Sequence, residues 1–430
     1  MDVIQASIPL FFALIGLELL VARLRRRSVY RLGDSVSDLS CGILSQFAGI
    51  FIALGTVIAF SWVAGHWRIQ LFLPVPEWKS GNPFAGPGVD LALLGSWTVV
   101  FLLDDFAYYW MHRTSHVVNL LWAGHVVHHS SEEFNLTVAL RQSSLHGLMS
   151  WLFYMPLAFL GVPVTMWLIC HALNLVYQFW VHTREVDRLG PLELVLNTPS
   201  HHRVHHGVNP EYQDRNFAGV LIIWDRMFGT FEPEVAPPVY GLTKPLVSWN
   251  PVWANVHVFG EIVTKIRAAR TWPERWRAVF GHPAWLPPAL GTRIVPGPVS
   301  PETFQKYEPE VPRPLVRYAV VQFVVVLLAS VAFLRAAGGL PGATLVAGMF
   351  YVLLSLGNIG GILESRAWAA PSETARLLIL GGAAGFLFLS GSGPVWLLSV
   401  SVIFAAVSLA WVSRLRHLLT SADARAVVVM

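Results

Sequence analysis

The stretch Asp105-Phe-Ala-Tyr-Tyr-Trp-Met-His112-Arg-Thr-Ser-His116 continues, unbroken, an apolar run that begins near Leu91. A span that ends in two imidazoles at i and i+4 sets both rings on one helix face at the edge of a membrane. Two more clusters follow within about a hundred residues, His125-Val-Val-His128-His129 and His201-His202-Arg-Val-His205-His206. Neutral imidazole is the commonest nitrogen ligand of transition metals, and a buried ring without a partner costs free energy. Density and spacing together point to a metal centre, against the plain reading of many separately satisfied structural histidines.

Composition supports the membrane. Of 430 residues 54% are hydrophobic and 13% charged, with a mean hydropathy of +0.53, where soluble chains carry about 25% charged residues. The expected fold is all-α, a polytopic helical membrane protein with a histidine-rich di-metal site at the cytoplasmic face. Cys41 and Cys170, the two cysteines, both fall in apolar stretches, so ligation by nitrogen and oxygen is expected instead of thiolate. The net charge of +4 comes mostly from arginines at the ends of apolar runs, which reads as topology and headgroup contact and excludes a nucleic-acid partner.

The residues before the first apolar run carry no positive charge, and Arg23, Arg25, Arg26 and Arg27 follow it, so the run is expected to stay as an anchor. The positive-inside rule then puts those arginines in the cytoplasm and the N-terminus outside. A second span, about Leu39 to Ala64, goes outward, and an interfacial loop, Gly65 to Val89 with Trp67, Phe72 and Trp78, follows. The third span, about Leu91 to Trp110, returns inward. Gly147 to His182 is twice the length of one span and is divided by Gly161-Val-Pro163, which predicts a helical hairpin that delivers His182 to the same face.

The organisation expected is a catalytic domain over 1–310, with its histidine core over about 91–232 and a cytoplasmic cap over about 209–313. The cap should hold interfacial helices around Val256 to Arg277. Past the proline-rich Pro309 to Pro314, residues 314–430 should form a four-helix transmembrane accessory module, with runs near Val316–Phe333, Ala343–Ile362, Ala375–Leu389 and Trp396–Val412. No internal repeat is visible.

Nine rings, His112, His116, His125, His128, His129, His182, His202, His205 and His206, exceed the four of one tetrahedral site and imply two metals. Nitrogen-rich sites suit iron that activates dioxygen, although zinc, copper and nickel also take imidazole. The Glu-x-x-His pairs of soluble di-iron bundles do not occur. His201 adds a ring on a neighbouring face, and His146 and His171 are weaker candidates. His66, His257, His282 and His417 read as isolated surface or interfacial residues. Asp104 or Asp105 is a candidate to accept the second ring N–H of a ligand, the alternative being an acidic pair that is merely interfacial at the end of a span.

The run from Asp105 to His116, then Trp122-Ala-Gly-His125-Val-Val-His128-His129-Ser-Ser-Glu132, Asn135 and Arg141-Gln142, resembles the fatty acid hydroxylase and sterol desaturase superfamily. So do Tyr177-Gln-Phe-Trp-Val-His182, Asn197-Thr-Pro-Ser-His-His-Arg-Val-His-His-Gly207 and Asn216 to Phe231. Within the superfamily the resemblance is to the alkylglycerol monooxygenases. It implies a membrane oxygenase holding two iron ions, with His112, His116, His125, His128, His129, His202, His205 and His206 as ligands. It also implies a lipid substrate, O2 and an external electron donor, tetrahydrobiopterin in the alkylglycerol enzymes. No pterin site and no nucleotide fingerprint is legible; Gly357-Asn-Ile-Gly-Gly361 reads as helix packing. Where those enzymes typically have a glutamate after the second histidine, this chain has Val117, a departure that bears on substrate or reductant. Glu132, with Glu133 beside it, is the candidate proton-delivery residue, the alternative being an exposed acidic loop. Sterol or fatty-acyl desaturation stays open within the superfamily. Outside it, the rivals are a haem electron-transfer protein and a metal transporter or hydrolase.

Overall fold

The computed structural model describes residues 3–69, 78–85, 89–391 and 393–419. Among them there are helices and turns but no strand, only isolated bridges. Among the described residues seven helices are long and apolar enough to cross a membrane, which bears out the helical multi-pass expectation. Phe72, placed in the interfacial loop by sequence, and residues 420–430 lie outside the described residues.

The chain divides into two units, one of 1–246 with 255–306, the other of 247–254 with 307–430. In the first, α1 (Val3–Leu24), α2 (Leu32–His66) and α3 (Leu91–Val117) carry three of the seven apolar segments. Asp90 starts α3 by accepting the Ala92 and Leu93 amides at 3.0 Å each, which satisfies donors that a helix start otherwise leaves unpaired. After a turn at Val118, α4 (Asn119–His129) follows.

The expected hairpin is present but irregular. Its first arm is α5 (Gly147–Ser150), a 3-10 turn and α6 (Met155–Phe159), its second α7 (Val164–Trp180). Gly161 makes the reversal at φ 72°, a left-handed conformation that only glycine adopts without strain. Neither arm reaches the roughly 20 residues of a full crossing. The hairpin packs against α2 and α3 through Phe60, Val100, Leu157, Met166 and Trp167, with Phe60 stacked on Trp167 at 4.4 Å.

Four further helices follow: the short α8 (Pro199–His205) and α9 (Ile223–Met227), then α10 (Pro251–Ala268) and α11 (Trp272–Phe280). The stretch Val256–Arg277, where helices were expected, falls in α10 and α11. Thr271 accepts the Glu274 amide while Glu274 returns to the Thr271 amide, a capping box that starts a new helix. Val258 and Ile262 of α10 pack on Ala123 and Val126 of α4.

The second unit contains α12 (Arg313–Ala336), α13 (Gly342–Leu363), α14 (Ala369–Leu389) and α15 (Val395–Leu415), matching the four apolar runs read from sequence. Its interior holds a closed polar network. Arg376 donates to Glu373 and Gln322 at 2.6 Å each, and the Tyr318 hydroxyl donates to Glu373 at 2.7 Å. Each charge there is paired, as burial away from water requires.

Candidate metal centre

Four pieces of chain converge in the first unit. α3 brings His112 and His116, α4 brings His125, His128 and His129, the end of the hairpin brings His182, and the α8 segment brings His202, His205 and His206. All nine rings are buried. They sort into two groups whose ligating nitrogens lie within 4.8 Å of one another: His112, His116, His125, His129 and His205, and His128, His182, His202 and His206.

Helical geometry explains the sorting. Residues at i and i+4 point nearly the same way, whereas i+3 falls on the other side of the shared stripe. Accordingly His125 and His129 stay together in the first group while His128 crosses to the second. His202 and His206 stay together in the second while His205 crosses to the first. The His-x-x-His-His spacing thus serves two centres from each helix, and His129 stacks on His206 at 4.4 Å between ring centroids where the groups meet.

The hydrogen bonds fix which nitrogens face inward. Nδ1 of His112 lies 2.7 Å from the Phe217 carbonyl, that of His182 2.8 Å from Gln178, and that of His205 2.9 Å from Arg215. His128 Nδ1 lies 3.2 Å from the Arg141 carbonyl, nearer than the Gln142 amide at 3.4 Å. A carbonyl only accepts, so these Nδ1 atoms carry the proton and each neutral ring turns a bare Nε2 inward. In the second group the Nε2 atoms form a closed ring of contacts, His128 to His182 3.2 Å, His182 to His202 2.9 Å, His202 to His206 3.2 Å and His206 to His128 3.1 Å. In the first, Nε2 of His125 is 3.0 Å from His112 and 3.1 Å from His129. The Nε2 atoms of His116 and His205 have no hydrogen-bond partner. Converging buried lone pairs of this kind fit cations as their missing partners.

Burial also favours the neutral form of seven of these rings. It lowers His182 to about 4, and it holds His125, His128, His129, His202, His205 and His206 well below 6.5, with neighbouring histidines adding to the effect. A neutral ring is the ligating form.

The candidate carboxylate partners are placed differently. Asp105 touches no histidine; it accepts the Val220 and Leu221 amides at 2.8 and 3.0 Å, the Trp224 indole at 2.9 Å and the Asn174 amide at 2.9 Å. It anchors the loop whose carbonyls orient His112 and His205. Asp104 lies 3.3 Å from His171 Nδ1, and neither belongs to the histidine groups. The carboxylate near a candidate ligand is Asp214, 3.6 Å from His116 Nδ1. Asp214 also receives His282 Nε2 at 3.2 Å, so His282 is not the isolated residue expected from sequence. No sequence signal marks Arg215, Phe217 or Gln178, because a carbonyl belongs to every residue.

Among the other candidates, His201 and His146 lie outside both groups, although the His146 ring is 5.4 Å from that of His125. Glu132 and Glu133 are buried, not exposed. Arg31 reaches Glu132 at 3.2 Å and Glu133 at 3.0 Å, while Glu133 is also met by Arg184 at 2.6 Å and by Lys306 at 2.5 Å. Arg141, 1% exposed, ties α4 to α2: it donates to the Val127 carbonyl at 2.8 Å and pairs with Asp38 at 3.0 Å.

Comparison with known proteins gives this arrangement its class. The fatty acid hydroxylase family model matches residues 97–230, which include all nine histidines, and the alkylglycerol monooxygenase C-terminal domain model matches residues 315–398. The protein is a membrane-bound lipid oxygenase, an oxidoreductase. It is 39% identical to alkylglycerol monooxygenase of Homo sapiens over 387 residues, 88% of this chain and 81% of that protein. Against that of Xenopus tropicalis it is 36% identical over 414 residues, 95% of this chain and 88% of the relative. The ornithine lipid hydroxylase OlsE of Rhizobium tropici is 31% identical over 137 residues, 32% of this chain and 41% of that protein. The chain belongs to the alkylglycerol monooxygenase family. No solved structure matches it.

Proposed function

We propose that the two histidine groups hold two iron ions and that the protein hydroxylates the alkyl chain of an ether lipid at the carbon beside the ether oxygen. The nine ligands are His112, His116, His125, His129 and His205 for one ion and His128, His182, His202 and His206 for the other. The observation that carries the reading is the pair of buried, neutral, inward-facing imidazole groups within the segment that matches the fatty acid hydroxylases. The bound irons would supply the reduction and cleavage of dioxygen. One oxygen atom enters the C–H bond, the other leaves as water, and two electrons and two protons come from outside. The hydroxylated carbon is then a hemiacetal, which collapses to an aldehyde and an alcohol, so insertion alone cleaves the ether.

The chain's own part is placement and proton control. Carbonyls of Phe217, Gln178 and Arg215 hold ring orientation, and the apolar hairpin and α3 line the approach of a hydrocarbon chain and keep water out. Glu132, held by Arg31, is assigned proton delivery. Electrons come from an external donor, for which tetrahydrobiopterin is the family's candidate.

We assign 1–310 to the catalytic domain and 314–430 to an accessory module; in support, the two family models match separate stretches, 97–230 and 315–398. We also assign the site to the cytoplasmic face. In support, Arg25 pairs with Glu185 at 2.9 Å, so the arginines after α1 and the loop that follows His182 share one end of the unit, where the positive-inside rule places cytoplasm. The test is metal analysis together with turnover of an O-alkylglycerol under labelled dioxygen. Two irons per chain and labelled aldehyde are expected; zinc alone, or no oxygen uptake with any reductant, would overturn the reading.

A further inference from the structure

Between α7 and α10 the chain has no long helix, yet it exposes large apolar side chains. Gly190, at φ 61°, turns the chain into a 3-10 segment that leaves Leu192 56% and Leu194 62% exposed, with Val195 at 49%. The end of α9 exposes Met227 at 67% and Phe228 at 37%. In water, such surface would cost about 25 cal/mol per Å2.

The two turns make one surface. The Ile222 amide donates to the Val195 carbonyl at 2.9 Å, and Arg226 to the Glu193 carbonyl at 3.1 Å. Phe228 joins it to α3, with its ring centroid 5.1 Å from Trp110 and 6.1 Å from Phe106. On α3 the exposed residues Val99, Leu102 and Trp110 recur at helical spacing, so the face of a candidate span continues directly onto the turns. Cations mark its edge: the Arg226 guanidinium lies 3.8 Å over the Phe231 ring and that of Arg113 5.4 Å over Trp110. Arginines with apolar stems beside aromatic rings are characteristic of the headgroup layer. The opposite side of the same segment supplies the Arg215 and Phe217 carbonyls to His205 and His112.

We propose that Leu192, Leu194, Val195, Met227 and Phe228 form a membrane-docking surface that inserts into the headgroup and upper acyl layer of a phospholipid bilayer, beside the histidine groups. One loop's thickness then separates the lipid phase from the rings, and a lipid substrate arrives laterally without leaving its leaflet. The occupant is the bilayer and not a protein, because the surface is continuous with a span's face and edged by cations suited to phosphate.

Spin labels at Leu194→Cys and Met227→Cys in the full chain, reconstituted in phosphatidylcholine and phosphatidylglycerol vesicles, test the depth. The expected result is strong collision with oxygen and little with a water-soluble nickel chelate, as for a label at Leu102→Cys and unlike one at Lys244→Cys. Equal access for the chelate would overturn the proposal, as would exclusion of both reagents, which would mean a second copy or another protein covers the surface. This readout needs no turnover, so it stands or falls apart from the proposed oxygenase reading. A second arm rests on that reading: Leu194→Glu with Met227→Glu should raise KM for vesicle-borne lipid about tenfold, with kcat and metal content kept. An unchanged KM would count against docking.

Discussion

His112 of α3 and His205 of α8 are oriented by the same stretch of backbone: their Nδ1 atoms reach the carbonyls of Phe217 and Arg215, at 2.7 and 2.9 Å, and their ring centroids are 4.3 Å apart. Two helices far apart in sequence are thereby locked into one nitrogen group by a loop that contributes no side chain to it. That loop is itself held by the Asp105 and Asp225 carboxylates, the latter accepting the Phe217 and Ala218 amides at 2.8 Å each. Ligand geometry depends on this support as much as on the rings.

Removing a support should therefore act like removing a ligand. Gly219 sits where a Cβ would stand 2.7 Å from Asn174 Oδ1, 2.9 Å from Tyr108 and 3.0 Å from Asp105. Gly219→Ala must push the loop off Asp105 and carry Phe217 away from His112. Iron content and activity are expected to fall about tenfold to a hundredfold, with about 1–3 kcal/mol of stability lost, read by metal analysis and thermal unfolding. Unchanged iron at full occupancy would refute the account.

Ligand substitutions should separate the two centres. His182→Ala removes a nitrogen from the group of four and leaves the group of five intact. Iron per chain should drop from about two toward one, and activity by at least about a hundredfold. Loss of neither would exclude His182 from the site.

Rings outside the groups supply the contrast. His201→Gln and His171→Gln change histidines that lie near the site in sequence or along α7 but belong to neither group. Both variants should keep full iron content and activity within about threefold, since distant substitutions act mostly through small stability changes. Loss of iron in the His201 variant would mean that the sorting of the third cluster is wrong.

Acid should destabilise the metal-free protein in a defined window. Burial lowers His182 and His201 to about 4 from 6.5, and the other six rings of α4 and α8 shift the same way. Between about pH 4 and 6.5 the unfolded chain binds more protons than the folded one, so stability falls as pH drops through that range and is level above it. Metal-free protein should unfold about 5 °C or more lower at pH 5 than at pH 7. A flat profile between those values would contradict neutral buried rings.

Much of this molecule was legible in the chain. Seven apolar runs and the division of the hairpin at Gly161 could be placed because apolar length and glycine or proline punctuation are local properties. Eight of the nine rings could be named because i, i+3 and i+4 spacing reports a shared face before any packing is known, and His182 because the hairpin returns it to that face. Other features were not legible. Asp105 reads like a ligand's partner by its place on the α3 stripe, yet four N–H donors from the segments of Asn174 and Val220 to Trp224 claim it. The break between α10 and α11 depends on a cap at Thr271 that competes with continued helical periodicity.

By itself, then, the sequence determined that a helical membrane protein carries enough imidazole for two metals, since composition and spacing are counted along one dimension. Only the tertiary structure decided which ring joins which group, that His128 and His205 cross over, and that carbonyls instead of Asp104 or Asp105 set the tautomers. Those choices depend on backbone that only folding brings together, 105 residues apart for His112 and Phe217, and hydrogen bonds to carbonyls leave no trace in side-chain identity.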